Sequence, residues 1–331
     1  MDENLKIMNF WRSLFFFVVF IEKSIAADFC YEDSHCSPNS WGNSFAQCRP
    51  RTDSRQSPIN LDSKMTRNES LRPLDLQGFD AAPSGNWTLK NNGHTVMLDV
   101  NGLSVSGGGL PGSYQAQQLH FHWGSSSTNG SEHTVNGRRY PMEVTTLLIP
   151  YTQMHIVTMK TTDQNLTSAL NDTSGLAVLG VFIDVADQDN NNFSAISDLV
   201  ASVKYKGTTL PISPFPLISL LPVRNMSQYY RYHGSLTTPP CSEAVMWTVY
   251  EVPIYVSQKQ IDAFTSGVYY TEDGANKALL RNNFRDVQAR ASRVLYASRD
   301  ARLLPDSSTP LSSSHLSLAL PLLPLLAAWR L

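Results

Sequence analysis

The sequence predicts a single, mainly β domain with small peripheral helices, and three observations lead to this prediction. Short runs alternate apolar and polar residues with a period of two, as in segments 87–90, 95–100 and 155–159. Gly, Asn, Pro and Ser separate these runs, which is typical of antiparallel strands joined by turns. No internal repeat or low-complexity linker divides the body of the chain, and the clearest of a few helical candidates are segments 195–203 and 258–265.

Composition and charge place the chain among globular proteins. Of its 331 residues, 42% are hydrophobic and 16% are charged, so a substantial core can form. This length suits one large domain or two ordinary ones, and we expect one because nothing divides the chain. The net charge is −2 and no basic stripe is present, so we expect no nucleic-acid partner.

The N-terminal segment has the order of a secretory signal peptide. Lys6 and Arg12 precede an apolar run at 14–21, and small residues follow. We predict a signal peptide over residues 1–26, with cleavage after Ala26. A buried N-terminal helix or a signal anchor is the alternative, although the apolar run is much shorter than the roughly 20 residues that span a bilayer.

Residues 304–331 predict a glycolipid (GPI) anchor signal. A polar spacer rich in Ser and Pro leads into an apolar tail at 316–329, and small residues precede that tail. We predict attachment of the lipid at Asp306 or Ser307. A short transmembrane helix is the alternative, which two prolines in the tail disfavour. With the leader, this segment predicts a protein on the extracellular face of the plasma membrane, with a GPI lipid as its membrane partner.

Seven Asn-x-Ser/Thr sequons agree with a secretory route, because such sites accept glycans on secreted proteins. Each one also predicts an exposed position, since a bulky sugar cannot be buried. The predicted glycosylation sites are Asn68, Asn86, Asn129, Asn165, Asn171, Asn192 and Asn225.

The four cysteines predict two disulfide bonds in an oxidising compartment. Four cysteines allow three connectivities. We favour Cys30–Cys36, which closes a small loop, and Cys48–Cys241, which ties the N-terminal segment to the distant body. Zinc ligation is the competing interpretation, but these spacings match no zinc-cysteine pattern.

A His-x-His pair predicts a metal site. His120 and His122 are two residues apart on a predicted strand, so both imidazoles face the same side of a sheet. His155 lies on another predicted strand and could supply a third ligand. Three histidines leave a fourth tetrahedral position open, which is the catalytic zinc arrangement. The alternative is chance, because surface or core histidines also fall at this spacing.

Several motifs in the same order resemble those of the alpha carbonic anhydrases. Arg-Gln-Ser-Pro-Ile-Asn at 55–60 and Asn-Asn-Gly-His at 91–94 are followed by Ser-Glu-His-Thr-Val at 131–135 and Gly-Ser-Leu-Thr-Thr-Pro-Pro at 234–240. The resemblance covers nearly the whole body, 41–298, and with the cysteines, leader and tail it is greatest to the membrane-anchored vertebrate forms, types four and fifteen. It implies an α+β family domain over residues 27–303, built on a large, twisted, mostly antiparallel central sheet.

The resemblance implies a zinc enzyme that hydrates carbon dioxide to bicarbonate and a proton at the outer cell surface. His120, His122 and His155 would hold Zn²⁺, and a zinc-bound hydroxide would be the nucleophile. Thr237 would orient that hydroxide by donating its own proton to Glu132. His94 resembles the proton shuttle of the family. The residues implied for substrate binding are Val157, Val178, Leu236, Trp247, Thr237 and Thr238.

The resemblance also implies partners for the metal ligands and for the protein. Gln118 would accept a hydrogen bond from the first histidine, and the backbone of Asn283 would accept one from the second. His133 and Arg285 resemble structural supports of the site. Beyond carbon dioxide and bicarbonate, bicarbonate transporters are suggested as partners by family analogy.

Segment 144–153 departs from the family pattern. In the family, a Glu directly precedes the Met-His-Ile-Val stretch and bonds the third histidine, whereas here ten residues separate Glu143 from Met154. Either Gln153 takes the place of that carboxylate or Glu143 loops back to it, and a retained splice segment is a third explanation. A neutral amide beside His155 would lower metal affinity or activity by about 10–100-fold. The alternative function is therefore a catalytically impaired or silent surface binding protein on the same fold.

Overall fold

The computed structural model describes residues 29–125, 130–137 and 152–305. Several predicted features lie outside these residues, namely the signal peptide, Asn129, Glu143 with segment 144–151, and the anchor segment with Asp306 and Ser307. Within the described residues, no helix has the length and apolar character that crossing a bilayer requires.

Strands dominate the described chain and join into one large sheet. Thirteen strands form this sheet, and two short strands, β1 and β8, pair separately. The strands are β1 (Asn60–Leu61), β2 (Thr66–Asn68), β3 (Leu74–Gln77), β4 (Trp87–Asn91), β5 (Val96–Asp99), β6 (Ser104–Gly107), β7 (Tyr114–Trp123), β8 (Thr134–Val135), β9 (Thr152–Lys160), β10 (Leu176–Ala186), β11 (Thr209–Ile212), β12 (Tyr229–Gly234), β13 (Val245–Tyr250), β14 (Ile254–Ser257) and β15 (Tyr296–Ser298).

The sheet is mixed, with antiparallel pairs in the majority. Its main path runs β11-β4-β5-β7-β9-β10-β13-β12-β15-β2. β10 runs parallel to β13 on this path and to β14 beside it, and β15 runs parallel to β2. The predicted mainly β domain with a large, mostly antiparallel sheet is confirmed.

The long strands β7, β9 and β10 occupy the middle of the sheet. The first eight residues of β10 are all buried, so this strand reads as one apolar run with no polar face. In β7, the side chains of Leu119, Phe121 and Trp123 enter a core on one face of the sheet. The alternate positions, His120 and His122, therefore point to the opposite face. The alternation that predicted this strand also sets the direction of the two histidines.

Within the described ranges, the helices are short and lie at the periphery. The α-helices are α1 (Trp41–Ser44), α2 (Leu166–Asn171), α3 (Ser194–Ser197) and α4 (Gln258–Thr265), and 3₁₀ turns occur at Ala46–Cys48, Val200–Val203 and Leu217–Leu220. The helix predicted at 258–265 is α4, and a capping box between Ser257 and Gln260 starts it. The helix predicted at 195–203 is instead α3 followed by a separate 3₁₀ turn.

Two disulfides attach the N-terminal segment to the sheet. Cys30 pairs with Cys36 and Cys48 pairs with Cys241, so the favoured connectivity is confirmed. The indole Nε1 of Trp41 donates hydrogen bonds to the carbonyls of Cys36 and Cys30, at 2.7 and 3.1 Å. The segment is thus fixed by covalent and polar contacts, and the ring of its Phe29 stacks on His94.

Candidate active site

Three histidines from two neighbouring strands converge on one point. His120 and His122 lie on β7 and His155 lies on β9, and the antiparallel register sets His120 opposite His155. One ring nitrogen of each lies within 4.8 Å of the other two, as a shared metal ion would require. His122 and His155 are buried, and His120 is partly exposed.

Hydrogen bonds orient the first two imidazoles. Nδ1–H of His120 donates to Oε1 of Gln118 at 2.8 Å, and Nδ1–H of His122 donates to the Asn283 carbonyl at 2.7 Å. Each Nε2 then carries a lone pair, and the two Nε2 atoms lie only 2.9 Å apart. Two lone pairs at this distance repel each other unless a cation or proton lies between them, so this donor set fits a metal ion.

Burial favours the neutral form of the ligands, which is the form that binds metal. Loss of solvent on burial lowers the pKa of His120, and the neighbouring His122 lowers it further. Burial likewise lowers the pKa of His155, with added contributions from His122, His120 and His133. Both imidazoles therefore remain neutral at neutral pH, with their lone pairs available.

Gln153 does not hold the third histidine. It lies on β9 at the expected position, two residues before His155, but its Oε1 accepts the backbone N–H groups of Glu132 and His133, both at 3.0 Å. Its Nε2 lies 3.1 Å from Nδ1 of His133. Buried Nε2 of His155 has no hydrogen-bond partner among the described residues. Both polar atoms of the Gln153 amide are directed at groups other than His155. The alternative in which Glu143 loops back lies outside the described residues.

Glu132 lies beside the histidines, completely buried. Its Oε1 accepts the backbone N–H of Arg285 at 2.8 Å. Its Oε2 lies 3.5 Å from Nε2 of His122 and 3.8 Å from Nδ1 of His155. Oε2 has no hydrogen-bond partner in the part of the chain that the structure describes, and the hydrogen bond expected from Thr237 stays a prediction.

Arg285 supports the site through hydrogen bonds of its guanidinium group. Its guanidinium donates to Oε1 of Gln56 at 2.8 Å and to the carbonyls of Ser57 and Cys48 at 3.0 and 3.2 Å. Burial lowers the pKa of Arg285 to about 10, and nearby Glu132 acts in the opposite direction. The guanidinium therefore stays charged at neutral pH and gives the buried Glu132 carboxylate a cationic neighbour.

A cavity of about 180 Å³ opens onto His120 and His155. Gln118 lines it, together with all six residues expected to bind substrate, which are Val157, Val178, Leu236, Thr237, Thr238 and Trp247. Sequence reasoning missed two lining residues, Leu166 and Leu176. Leu176 could have been found, because it is two residues before Val178 on one strand and faces the same side. Leu166 lies on α2, where no motif marks it.

His94 lies away from this cavity. It lines a second cavity of about 260 Å³ together with residues of the N-terminal segment. Its ring stacks on Phe29, with centroids 4.0 Å apart and an interplanar angle of 12°. Its backbone is tied to the histidine site, because Nδ2 of Asn283 donates to the His94 carbonyl at 2.9 Å.

Asn283 connects the two regions, and its replacement by Ala is expected to lower the free energy of unfolding by about 1–3 kcal/mol. The fully buried amide donates to the carbonyls of His94 and Phe121 and accepts the backbone N–H of Trp123, and Ala would leave these three groups without partners. Urea unfolding followed by tryptophan fluorescence measures the change. Exposed Asn101, replaced by Ala, is the control, with an expected change within about 0.5 kcal/mol. Equal effects of the two substitutions would contradict this role.

The described sequons lie at accessible positions, as glycosylation requires. Asn86, Asn165, Asn171 and Asn192 are exposed, and Asn68 and Asn225 are partly exposed. Their occupancy by glycans stays a prediction.

Comparison with known proteins agrees with the geometry. Residues 36–299 match the family described as eukaryotic-type carbonic anhydrase. The chain is 38% identical to mouse carbonic anhydrase 15 over 300 residues, which cover 87% of this chain and 88% of that protein. It is 36% identical to mouse carbonic anhydrase 4 over 81% of this chain and 84% of that protein, and 37% identical to human carbonic anhydrase 12 over 78% and 70%. The chain belongs to the eukaryotic-type, alpha-class carbonic anhydrases, a family of lyase enzymes.

Proposed function

We propose that this chain catalyses the reversible hydration of carbon dioxide to bicarbonate and a proton at the outer cell surface, with Zn²⁺ held by His120, His122 and His155. One observation carries the proposal. Two lone-pair nitrogens face each other at 2.9 Å, a third imidazole lies within reach, and a partly apolar cavity opens onto His120 and His155. When bound by three histidines, zinc lowers the pKa of water to about 7 and so supplies hydroxide at neutral pH.

The apolar side of the cavity suits carbon dioxide, a small molecule without net charge. Val157, Val178 and Trp247 would hold it by contact alone, so it needs no charged partner to enter. Thr238 borders the same space and can hydrogen-bond the anionic product. This combination would admit a neutral substrate and release a charged product toward solvent.

Glu132 and Thr237 would orient the attacking group. Oε2 of Glu132 is buried and able to accept a hydrogen bond, and a hydroxyl that donates there leaves its own lone pair to receive a proton from the nucleophile. Thr237 lines the cavity and carries that hydroxyl. The other carboxylate oxygen accepts the Arg285 backbone N–H, and the buried Arg285 guanidinium interacts with the same carboxylate.

His94 would carry the released proton toward solvent. An imidazole with a pKa near 6.5 both accepts and releases protons at neutral pH. The Phe29 stack holds its ring in a largely apolar cavity, where Glu32, Asp33 and Lys206 supply the charged groups of the lining. A water chain would have to connect this cavity to the histidine site.

The experiment is stopped-flow carbon dioxide hydration on purified protein, with zinc content measured by elemental analysis. We expect activity with about one zinc per chain, and loss of both in His122→Ala. The same assays on a variant lacking residues 144–153 test whether the segment is compatible with activity. Activity only after this deletion would mean that the segment impairs a working enzyme.

A silent binding protein is the second candidate function. Nε2 of His155 lacks an acceptor among the described residues, and this favours weak zinc retention. Absence of zinc and of activity in both forms would support this candidate and contradict the enzyme proposal.

The proposed location has its own test. The predicted signal peptide 1–26 and anchor segment 304–331 support a protein tethered outside the cell by a GPI lipid. Phosphatidylinositol-specific phospholipase C is expected to release it from intact cells. Retention in the membrane after this treatment would instead indicate a transmembrane segment.

A further inference from the structure

We propose that an N-linked glycan on Asn165 stands at the mouth of the catalytic cavity and limits the size of the molecules that reach the histidine site. This inference rests on the proposed function in two respects, the secretory route and the identity of the cavity. Asn165, Leu166 and Thr167 form the sequon, and Leu166 lines the cavity while keeping 56% of its surface exposed. The attachment point is therefore the direct neighbour of a rim residue.

The conformation of Asn165 is compatible with modification. Its Oδ1 caps α2 (Leu166–Asn171) by accepting the backbone N–H of Ser168 at 3.0 Å. No hydrogen bond of its Nδ2 is found among the described residues. Glycosylation uses Nδ2 and leaves Oδ1 in place, so the sugar and the helix cap can coexist.

The covalent step uses a donor of known chemical class, an oligosaccharide carried on a lipid diphosphate in the secretory pathway. A bond forms between Nδ2 of Asn165 and the anomeric carbon of the sugar while the bond from that carbon to the diphosphate oxygen breaks. The amide nitrogen loses one proton to solvent, and the lipid diphosphate leaves. No oxidant or reductant is needed.

Asn192 offers a contrast on the other side of the sheet. Its neighbour Phe193 is fully buried and packs edge-on against Phe121, with ring centroids 5.9 Å apart. Phe121 points away from the face that carries His120 and His122. A glycan on Asn192 would therefore stand far from the cavity, and its loss provides a control for general effects of glycan removal.

A glycan at the rim would act by size. Carbon dioxide and bicarbonate are small enough to pass a mobile sugar, whereas a protein or a polymer-linked ligand would collide with it. The glycan would leave the chemistry unchanged and would reduce the rate at which large ligands reach the site.

The test uses full-length protein made in animal cells, with two substitutions at one position. Thr167→Ser keeps the sequon, and Thr167→Ala removes it while Asn165 remains to cap α2. Mass spectrometry of the peptide that contains Asn165 reports occupancy. The probes are benzenesulfonamide, whose ionised nitrogen binds zinc, and the same group joined to a large dextran by a short linker.

We expect free benzenesulfonamide to bind both variants equally, and the dextran conjugate to associate roughly tenfold faster with Thr167→Ala. Asn192→Gln should change neither rate. Equal association of the conjugate with both Thr167 variants would overturn the proposal, as would an unmodified Asn165 in Thr167→Ser.

A second readout does not depend on zinc. With Leu166→Cys added to each Thr167 variant, labelling by a polymer maleimide should be roughly tenfold faster without the glycan, and labelling by a small maleimide should differ little. If benzenesulfonamide binds neither variant, the zinc proposal fails, and the labelling rates still decide whether the rim is shielded. Equal labelling of the two Thr167 variants by the polymer maleimide would overturn the proposal that the glycan shields the rim.

Discussion

Replacement of Gln153 by Glu is expected to raise the zinc affinity of the site by about 10–100-fold. If Nδ1 of His155 binds the metal, its Nε2 carries a proton, and this donor has no acceptor among the described residues. The amide of Gln153 cannot serve both His155 and its present partners, because Oε1 already accepts two backbone N–H groups. A carboxylate has a second acceptor oxygen that can turn toward His155.

Deletion of residues 144–153 is expected to have the same effect by a different route. It joins Glu143 to Met154 and so sets a carboxylate two residues before His155, the position that Gln153 holds on β9. An equal gain in zinc affinity in the two variants would mean that the missing carboxylate, and not the length of segment 144–153, lowers the zinc affinity of the unaltered chain.

Chelator competition measures the zinc affinity of both variants. Gln118→Glu is the matched control, because Oε1 of Gln118 already accepts from His120 and a carboxylate adds little there. The metal-free Gln153→Glu protein should also be less stable, since the new carboxylate would be fully buried without the zinc charge to offset it. An affinity equal to that of the unaltered chain would contradict the explanation.

Replacement of Arg285 by Met is expected to lower the free energy of unfolding by about 3–5 kcal/mol. The substitution leaves buried Glu132 without its cationic neighbour and removes donors from Gln56, Ser57 and Cys48. It also removes a contact with Trp41, whose ring lies 5.9 Å from the guanidinium carbon. One side chain thus supports both the carboxylate and the disulfide-linked N-terminal segment.

Urea unfolding of the zinc-loaded protein gives the measurement. Arg285→Lys should recover only part of the loss, because an ammonium group cannot reproduce the planar set of donors. Arg51→Met is the control, since this side chain is 53% exposed and its pairing with Glu243 is worth less than about 1 kcal/mol. If Arg285→Met were no more harmful than Arg51→Met, the supporting role would be wrong.

The sequence alone predicted much of the site because its signals are local. The spacing of His120 and His122 fixes their common face on any strand. The family resemblance of segment 234–240 implied the loop that borders the cavity. The wall residues followed from the family resemblance, and each of them lines the cavity.

The remaining features depend on contacts between distant residues, which no local pattern encodes. The parallel pairing of β10 with β13 is set by how the whole chain crosses the sheet. The partners of Gln153 depend on where the backbone of Glu132 and His133 passes. The stacking of His94 on Phe29 depends on where the Cys30–Cys36 loop docks. In each case the sequence identified the residue but did not show which residue it contacts.

The position of β7 and β9 in the middle of the sheet has a kinetic consequence. Strands flank both of them on each side, so the ligands cannot separate by fraying of an edge. Separation of the three imidazoles would therefore require opening of the middle of the sheet, where amide hydrogens are expected to exchange slowly. A metal that leaves through the cavity would break its ligand bonds while the strands stay in place, so the three nitrogens would remain positioned to bind it again.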